Sequence, residues 1–213
     1  AIDSLMNHKE EDLYVDYKED FSPKNEKDWL GLTADAIAFA NTLGGYIVFG
    51  VTDGSFTLVG LDKESIKSLS NTSLVLQKLN RYVRPPFAHI RTKKVKRNNL
   101  EFAVWHIPES KGQTHVVVKE GKIKYESGTW KVILRPGMIF SRRSGTNQIV
   151  EPEDLEFILN RRIDYFKETI LGKITKVMQA PSEHQILVYD PESLSGDKNK
   201  YINYDGSGGV KLD

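Results

Sequence analysis

The stretch Ala38-Phe-Ala-Asn-Thr-Leu-Gly44-Gly-Tyr-Ile-Val-Phe-Gly-Val51-Thr-Asp53-Gly54 decides how the chain is laid out. Its first residues close a segment, begun at Glu26, in which Trp29, Leu30, Ile37, Ala38 and Ala40 recur at roughly helical spacing. Gly44-Gly45 then supplies a helix stop. Tyr46 to Val51 is an unbroken apolar run of strand length. Asp53-Gly54 is a two-residue hairpin signal that predicts a returning strand from Phe56 to Leu61. The helix is expected to pack on the sheet that this hairpin starts.

Upstream, Leu13 to Phe21 alternates as a half-buried strand does, with Leu13, Val15 and Tyr17 on one face and Tyr14, Asp16 and Lys18 on the other. Asp16 is therefore expected to point away from the core. Downstream, residues 62–82 read as one helix carrying Ile66, Leu69, Leu74, Leu76 and Leu79, ended by Pro85-Pro86. Ala88–Lys96 and Leu100–Ile107 are strands joined through Arg97-Asn98-Asn99. Val116–Val118 and Lys122–Tyr125 flank a turn at Glu120-Gly121. Pro152 opens a helix whose apolar positions Leu155, Ile158, Leu159, Ile163 and Phe166 continue toward Met178, before Pro181 breaks it. Residues 1–180 are expected to form the main domain. Residues 181–213, polar apart from an isolated strand at Ile186–Tyr189, are expected to be a linker or the start of a further domain of a longer protein.

The 30 basic and 29 acidic residues nearly cancel, so any attraction to a polyanion must come from how charge is distributed. The chain has no Cys, which excludes disulfides, thiol nucleophiles and zinc–thiolate sites; its five His show no His-x-x-x-His pair. No apolar run approaches the ~20 residues of a membrane helix, and no signal-peptide pattern opens the chain. A cytoplasmic protein with no membrane partner is expected.

Three segments together resemble a known family: Glu11-x-x-x-x-Asp16-Tyr-Lys18, then Ala38 through Gly54, then Phe140-Ser-Arg-Arg-Ser-Gly145-Thr. They are similar to the Schlafen, or AlbA-like, domain, with its Glu-Phe-Lys strand, its Ala-Phe-Ala-Asn-Thr-x-Gly-Gly segment and a late Arg-x-Gly-Ser/Thr element. The resemblance spans roughly residues 8–163. It implies an α+β fold with a mixed, largely antiparallel sheet and packed helices. It also implies nucleic acid as partner, RNA rather than DNA. Some members cleave transfer or ribosomal RNA with a divalent metal, in bacterial defence or in animal Schlafens, and others only bind DNA or ATP.

By that resemblance Glu11, Asp16 and Asp53 would hold Mg²⁺ or Mn²⁺, hard cations that take oxygen ligands, with Lys18 beside them to neutralise phosphate charge. The family's second carboxylate is Glu, and Asp16 is one methylene shorter. Read from the residues alone, Glu11 is a solvated charge, Asp16 an outer-face strand residue, and Asp53 a turn residue that tolerates positive φ. Arg91, Lys93, Lys94, Lys96 and Arg97 make a basic segment able to bind phosphates, and Arg142, Arg143 and Arg161-Arg162 add cationic surface. Asn41, Thr42, Gly44 and Gly45 at a helix C-terminus read as a cap rather than a phosphate cradle. The resulting expectation is a metal-dependent endoribonuclease acting on structured RNA such as tRNA. The alternatives are a non-catalytic DNA- or RNA-binding regulatory module, and a nucleotide-sensing or interaction domain that could form homo-oligomers.

Overall fold

A computed structural model describes residues 12–125, 127–143, 145–178, 202–204 and 210–212. The chain divides into two compact units, Ala1–Ile163 and Asp164–Asp213.

In the first unit a sheet of four strands runs in the order β1 (Val15–Lys18), β2 (Gly45–Phe49), β5 (Leu100–Ile107), β4 (Arg91–Arg97). The β1–β2 pair is parallel and the other two pairs are antiparallel. A parallel neighbour needs a crossover, and helix α1 (Glu26–Asn41) supplies it. Asn25 caps α1 by accepting from the Lys27 amide, and Glu26 and Asp28 favour the positive end of the helix dipole. The far end closes with Gly44 at φ +68°, its N–H donating 2.8 Å to the Phe39 carbonyl. α1 covers one sheet face, where Trp29, Leu30, Ile37 and Phe39 pack with Ile47, Phe49, Trp105 and Ile107. The mixed, largely antiparallel α+β architecture is as expected.

On the other face a smaller cluster joins Val15, Tyr17, Val48, Phe102 and Val104. The expected strand from Phe56 to Leu61 is absent as a ladder: only the single bridge Val51–Leu58 forms. The hydroxyls of Thr52, Ser55 and Thr57 bond to one another, and Val59 and Gly60 both donate to the Gly50 carbonyl. This closes a compact loop whose Phe56 meets Tyr17 edge-on at 5.3 Å.

The helix expected over 62–82 is two helices, α2 (Lys63–Leu69) and α3 (Thr72–Asn80), because Asn71 turns from interior residue to cap and accepts from the Leu74 amide. Asn98 and Asn99, at φ 51° and 63°, form the β4–β5 turn. Val116–Val118 and Lys122–Tyr125 do not pair with each other. Instead β6 (Val116–Val117) pairs with β3 (Val83–Arg84), and β7 (Gly121–Lys124) pairs with β8 (Trp130–Leu134). Strands β9 (Phe140–Arg143) and β10 (Thr146–Ile149) form the last hairpin of this unit.

Helix α4 (Pro152–Met178) runs from the first unit into the second. Of its expected apolar face only Ile158 is buried, while Leu155, Leu159, Ile163 and Phe166 are exposed. Within the second unit β11 (Ile202–Tyr204) and β12 (Val210–Leu212) pair antiparallel. The strand expected at Ile186–Tyr189 lies outside the described residues. No helix among the described residues is long and apolar enough to cross a membrane.

Candidate nucleic-acid interface

Strand β1 alternates as its sequence demands, but both of its faces are covered. Val15 and Tyr17 enter the smaller cluster, and Asp16 turns toward the α1 side, where it is 5% exposed. The expectation that Asp16 points away from the core is thus corrected: a period of two separates the faces of a strand without saying whether the second is covered. Burying a carboxylate is costly unless it is paired. Lys18 Nζ lies 2.8 Å from one Asp16 oxygen, and Arg142 Nη1 donates to the other at 3.3 Å.

Arg142, on β9, is 2% exposed and stacks 4.4 Å over Phe39. It donates from Nε to the Asp12 carbonyl at 2.9 Å, from Nη2 to the Val15 carbonyl at 2.8 Å, and from Nη1 to Asn147 at 2.9 Å. Its fork is spent inside the protein holding β1, so it is unavailable to a phosphate outside. Asn147 in turn donates 2.6 Å to Asp35 on α1, which Lys18 also approaches at 3.3 Å. Burial alone would lower the Lys18 pKa, but the carboxylates of Asp35 and Asp16 outweigh it and raise the ammonium above its ordinary value. Burial pushes the Asp35 carboxyl up, with Lys18 opposing. Beside this network a cleft of about 300 Å³ is lined by Lys18, Asp20, Phe21, Asp28, Gly31 and Asp35.

Of the expected carboxylate trio, Glu11 lies outside the described residues. Asp53 stands exposed in the loop after β2, its carbonyl accepting from Ser55. Among the described residues no three acidic or His side chains are placed to share a cation. What the structure gathers around Asp16 is Lys18, Asp35, Asn147 and Arg142. Asp35 carried a legible signal: it is the only charge in the apolar run from Leu32 to Ala40.

The basic segment is split by the pleat of β4. Arg91, Lys93 and Arg97 share the face away from α1, and Lys94 and Lys96 the other. Arg91, Lys93 and Lys96 are exposed without an acidic partner among the described residues. Lys94 pairs with Glu101 at 2.5 Å, and Arg97 is half-buried. Arg143 is engaged by Asp154 at 2.6 Å, Glu151 at 3.4 Å and Glu153 at 3.6 Å, and Arg161 by Glu109 and the Thr42 carbonyl.

The helix–strand junction is structural in detail. The Asn41 amide donates to the His115 and Phe140 carbonyls at 2.9 and 3.2 Å and accepts from the His115 amide at 2.8 Å. The Pro85 carbonyl, 2.7 Å from His115 Nδ1, can only accept, so Nδ1 carries the proton and Nε2 accepts from Ser110 at 2.7 Å. Burial holds the His115 pKa below its usual value.

No curated protein matches the chain. Among solved structures, the DIP2311 protein from Corynebacterium diphtheriae is 13% identical with a TM-score of 0.47, the match covering 73% of this chain and 31% of that one. The N-terminal domain of a RecG-related protein of Nitrosomonas europaea, named as an ATP-dependent DNA helicase, is 18% identical with a TM-score of 0.35, covering 71% and 92%. This chain therefore spans less than a third of the DIP2311 chain. The family described as Schlafen, AlbA_2 matches residues 11–151, more than half of the 213 residues, and the chain belongs to that family.

Proposed function

We propose that this domain binds nucleic acid, with β4 supplying the phosphate contacts. The observation that carries the reading is the exposure of Arg91, Lys93 and Lys96 without acidic partners among the described residues, while Lys94, Arg142, Arg143 and Arg161 are each occupied. Cations free to meet phosphates gain affinity by releasing condensed counterions. Three such contacts give a slope of log K against log salt of about −2 to −3. Fluorescence anisotropy with transfer RNA and with single- and double-stranded DNA, across about 50–200 mM salt, tests this. The triple variant Arg91→Glu, Lys93→Glu, Lys96→Glu is expected to lose most of the affinity and flatten the slope. Unchanged binding removes the reading.

A metal-dependent endoribonuclease acting on structured RNA such as tRNA, in bacterial defence, is the second reading. It is favoured by the cleft beside Lys18 with its Asp20, Asp28 and Asp35. The described residues do not by themselves fit Mg²⁺ or Mn²⁺, since Asp16 gives one oxygen to Arg142 and the other to Lys18 and Asp53 stands on an exposed loop. Transfer RNA incubated with Mg²⁺ or Mn²⁺ separates the readings. Cutting by the parent that is lost in Asp53→Ala would put the nuclease first, whereas binding without cutting keeps the binding module first.

A further inference from the structure

The sheet face away from α1 is partly covered by the smaller cluster, and beside that cluster it carries a transverse row of side chains in register. Tyr46 of β2 lies opposite His106 of β5, and His106 lies opposite Arg91 of β4. The Tyr46 and His106 rings stand 4.9 Å apart at 40°, both half-buried. One step along the pleat, Lys93 lies opposite Val104, and on the same face Val15, in register with Tyr46, and Val48 and Val104, beside the row, are buried in the smaller cluster. Partial burial, with Arg91 adding to it, lowers the His106 pKa, so the imidazole is a neutral ring at pH 7.

A pair of rings on a rigid sheet, flanked by two exposed cations, has the parts of a stacking platform. The rings meet base faces, and Arg91 and Lys93 meet the phosphates that follow. A duplex hides its base faces in its own stack and cannot use the rings. An apolar protein partner would gain little from a patch edged by two positive charges.

We infer that the Tyr46–His106 pair, with Arg91 and Lys93 beside it, is a binding site for single-stranded nucleic acid, its bases stacking on the half-buried rings at the sheet face away from α1. This inference rests on the nucleic-acid reading above and names the form of polymer that this face takes.

The test measures anisotropy of labelled oligo-uridylate and of a matched RNA duplex with the parent, Tyr46→Leu, His106→Leu and Tyr46→Phe, each checked by thermal melting. A 2-aminopurine probe in the single strand reports stacking by fluorescence quenching. The platform predicts that each Leu variant weakens single-strand binding about tenfold, which is about 1.4 kcal/mol. It also predicts that quenching falls, that duplex affinity is unchanged, and that Tyr46→Phe behaves as the parent. If the Leu variants fold and bind and quench as the parent does, while the β4 charge reversals abolish binding, the platform is overturned and the binding module stands. If the parent binds neither polymer, both are overturned. Should one Leu variant fail to melt cooperatively, the other decides.

Discussion

Replacing Arg142 by Met removes a guanidinium that is 2% exposed and bonded to the Asp12 and Val15 carbonyls, Asp16 and Asn147. Met fills similar space over Phe39, so the change isolates charge and hydrogen bonding from volume. Breaking a buried ion pair from one side costs about 3–5 kcal/mol, and an orphaned buried carbonyl about 1–3 kcal/mol. Lys18, 2.8 Å from Asp16, remains to hold that carboxylate and tempers the first of these. A net loss of about 3–5 kcal/mol is expected, against a total stability of about 5–15 kcal/mol for a domain. In urea this is a midpoint shift of about 2 M, with the slope unchanged. Arg142→Lys should recover little, because an ammonium cannot span two carbonyls as the fork does. Adding Asp16→Asn to Arg142→Met should restore about 1–2 kcal/mol by removing the stranded charge. A loss under about 1 kcal/mol for Arg142→Met would refute the assignment of Arg142 as the tie that holds β1.

Three further outcomes are expected. His115 is held below its usual pKa by burial, so the folded state takes a proton less readily than the unfolded chain, whose imidazole titrates near 6.5. Its contribution is fully present above about pH 6.5 and is lost as pH falls through the lower folded value. Melting temperature should therefore fall on acidification from pH 7.5, less steeply in His115→Gln, and a rise would contradict the burial argument. Gly44→Ala places a methyl within 2.6 Å of the Glu109 nitrogen and 2.8 Å of the Ile107 oxygen at a left-handed φ, and should cost more than about 2 kcal/mol in denaturant unfolding. Asp53→Ala should move stability by less than about 0.5 kcal/mol, as an exposed loop residue does, whereas Asp16→Ala should lower it several-fold more by stranding Arg142.

Elements set by strong local signals were legible in the sequence. The helix into Gly44-Gly45, the apolar strand after it, and the Asn98-Asn99 turn all appear, because capping glycines and positive-φ asparagines act within a few residues. Where local signals tied, distant partners decided. Val116 pairs with Arg84 rather than across the nearby Glu120-Gly121 turn, and Gly121 sits where a Cβ would strike Leu30 of α1. Phe56–Leu61 has strand composition, but the hydroxyls of Thr52, Ser55 and Thr57 bond among themselves and close a loop. The site was legible as residue types and not as roles. Arg142 looked like surface charge because arginines mostly are. Its burial depends on Asp16, Asn147 and Phe39, which no spacing in the sequence joins to it.

That distance matters for the order in which the molecule can be built. Arg142 reaches back 126 residues to Asp16, 127 to Val15 and 130 to Asp12. During synthesis the first strand emerges long before its clasp, so β1 can lie beside β2 but cannot be latched until β9 has left the ribosome. Closing so long a loop late makes assembly slow and leaves an early strand edge open to wrong pairing in the meantime. A nascent chain stopped before residue 140 should therefore leave its first strand open to proteolysis, and one extended past the β9–β10 hairpin should protect it.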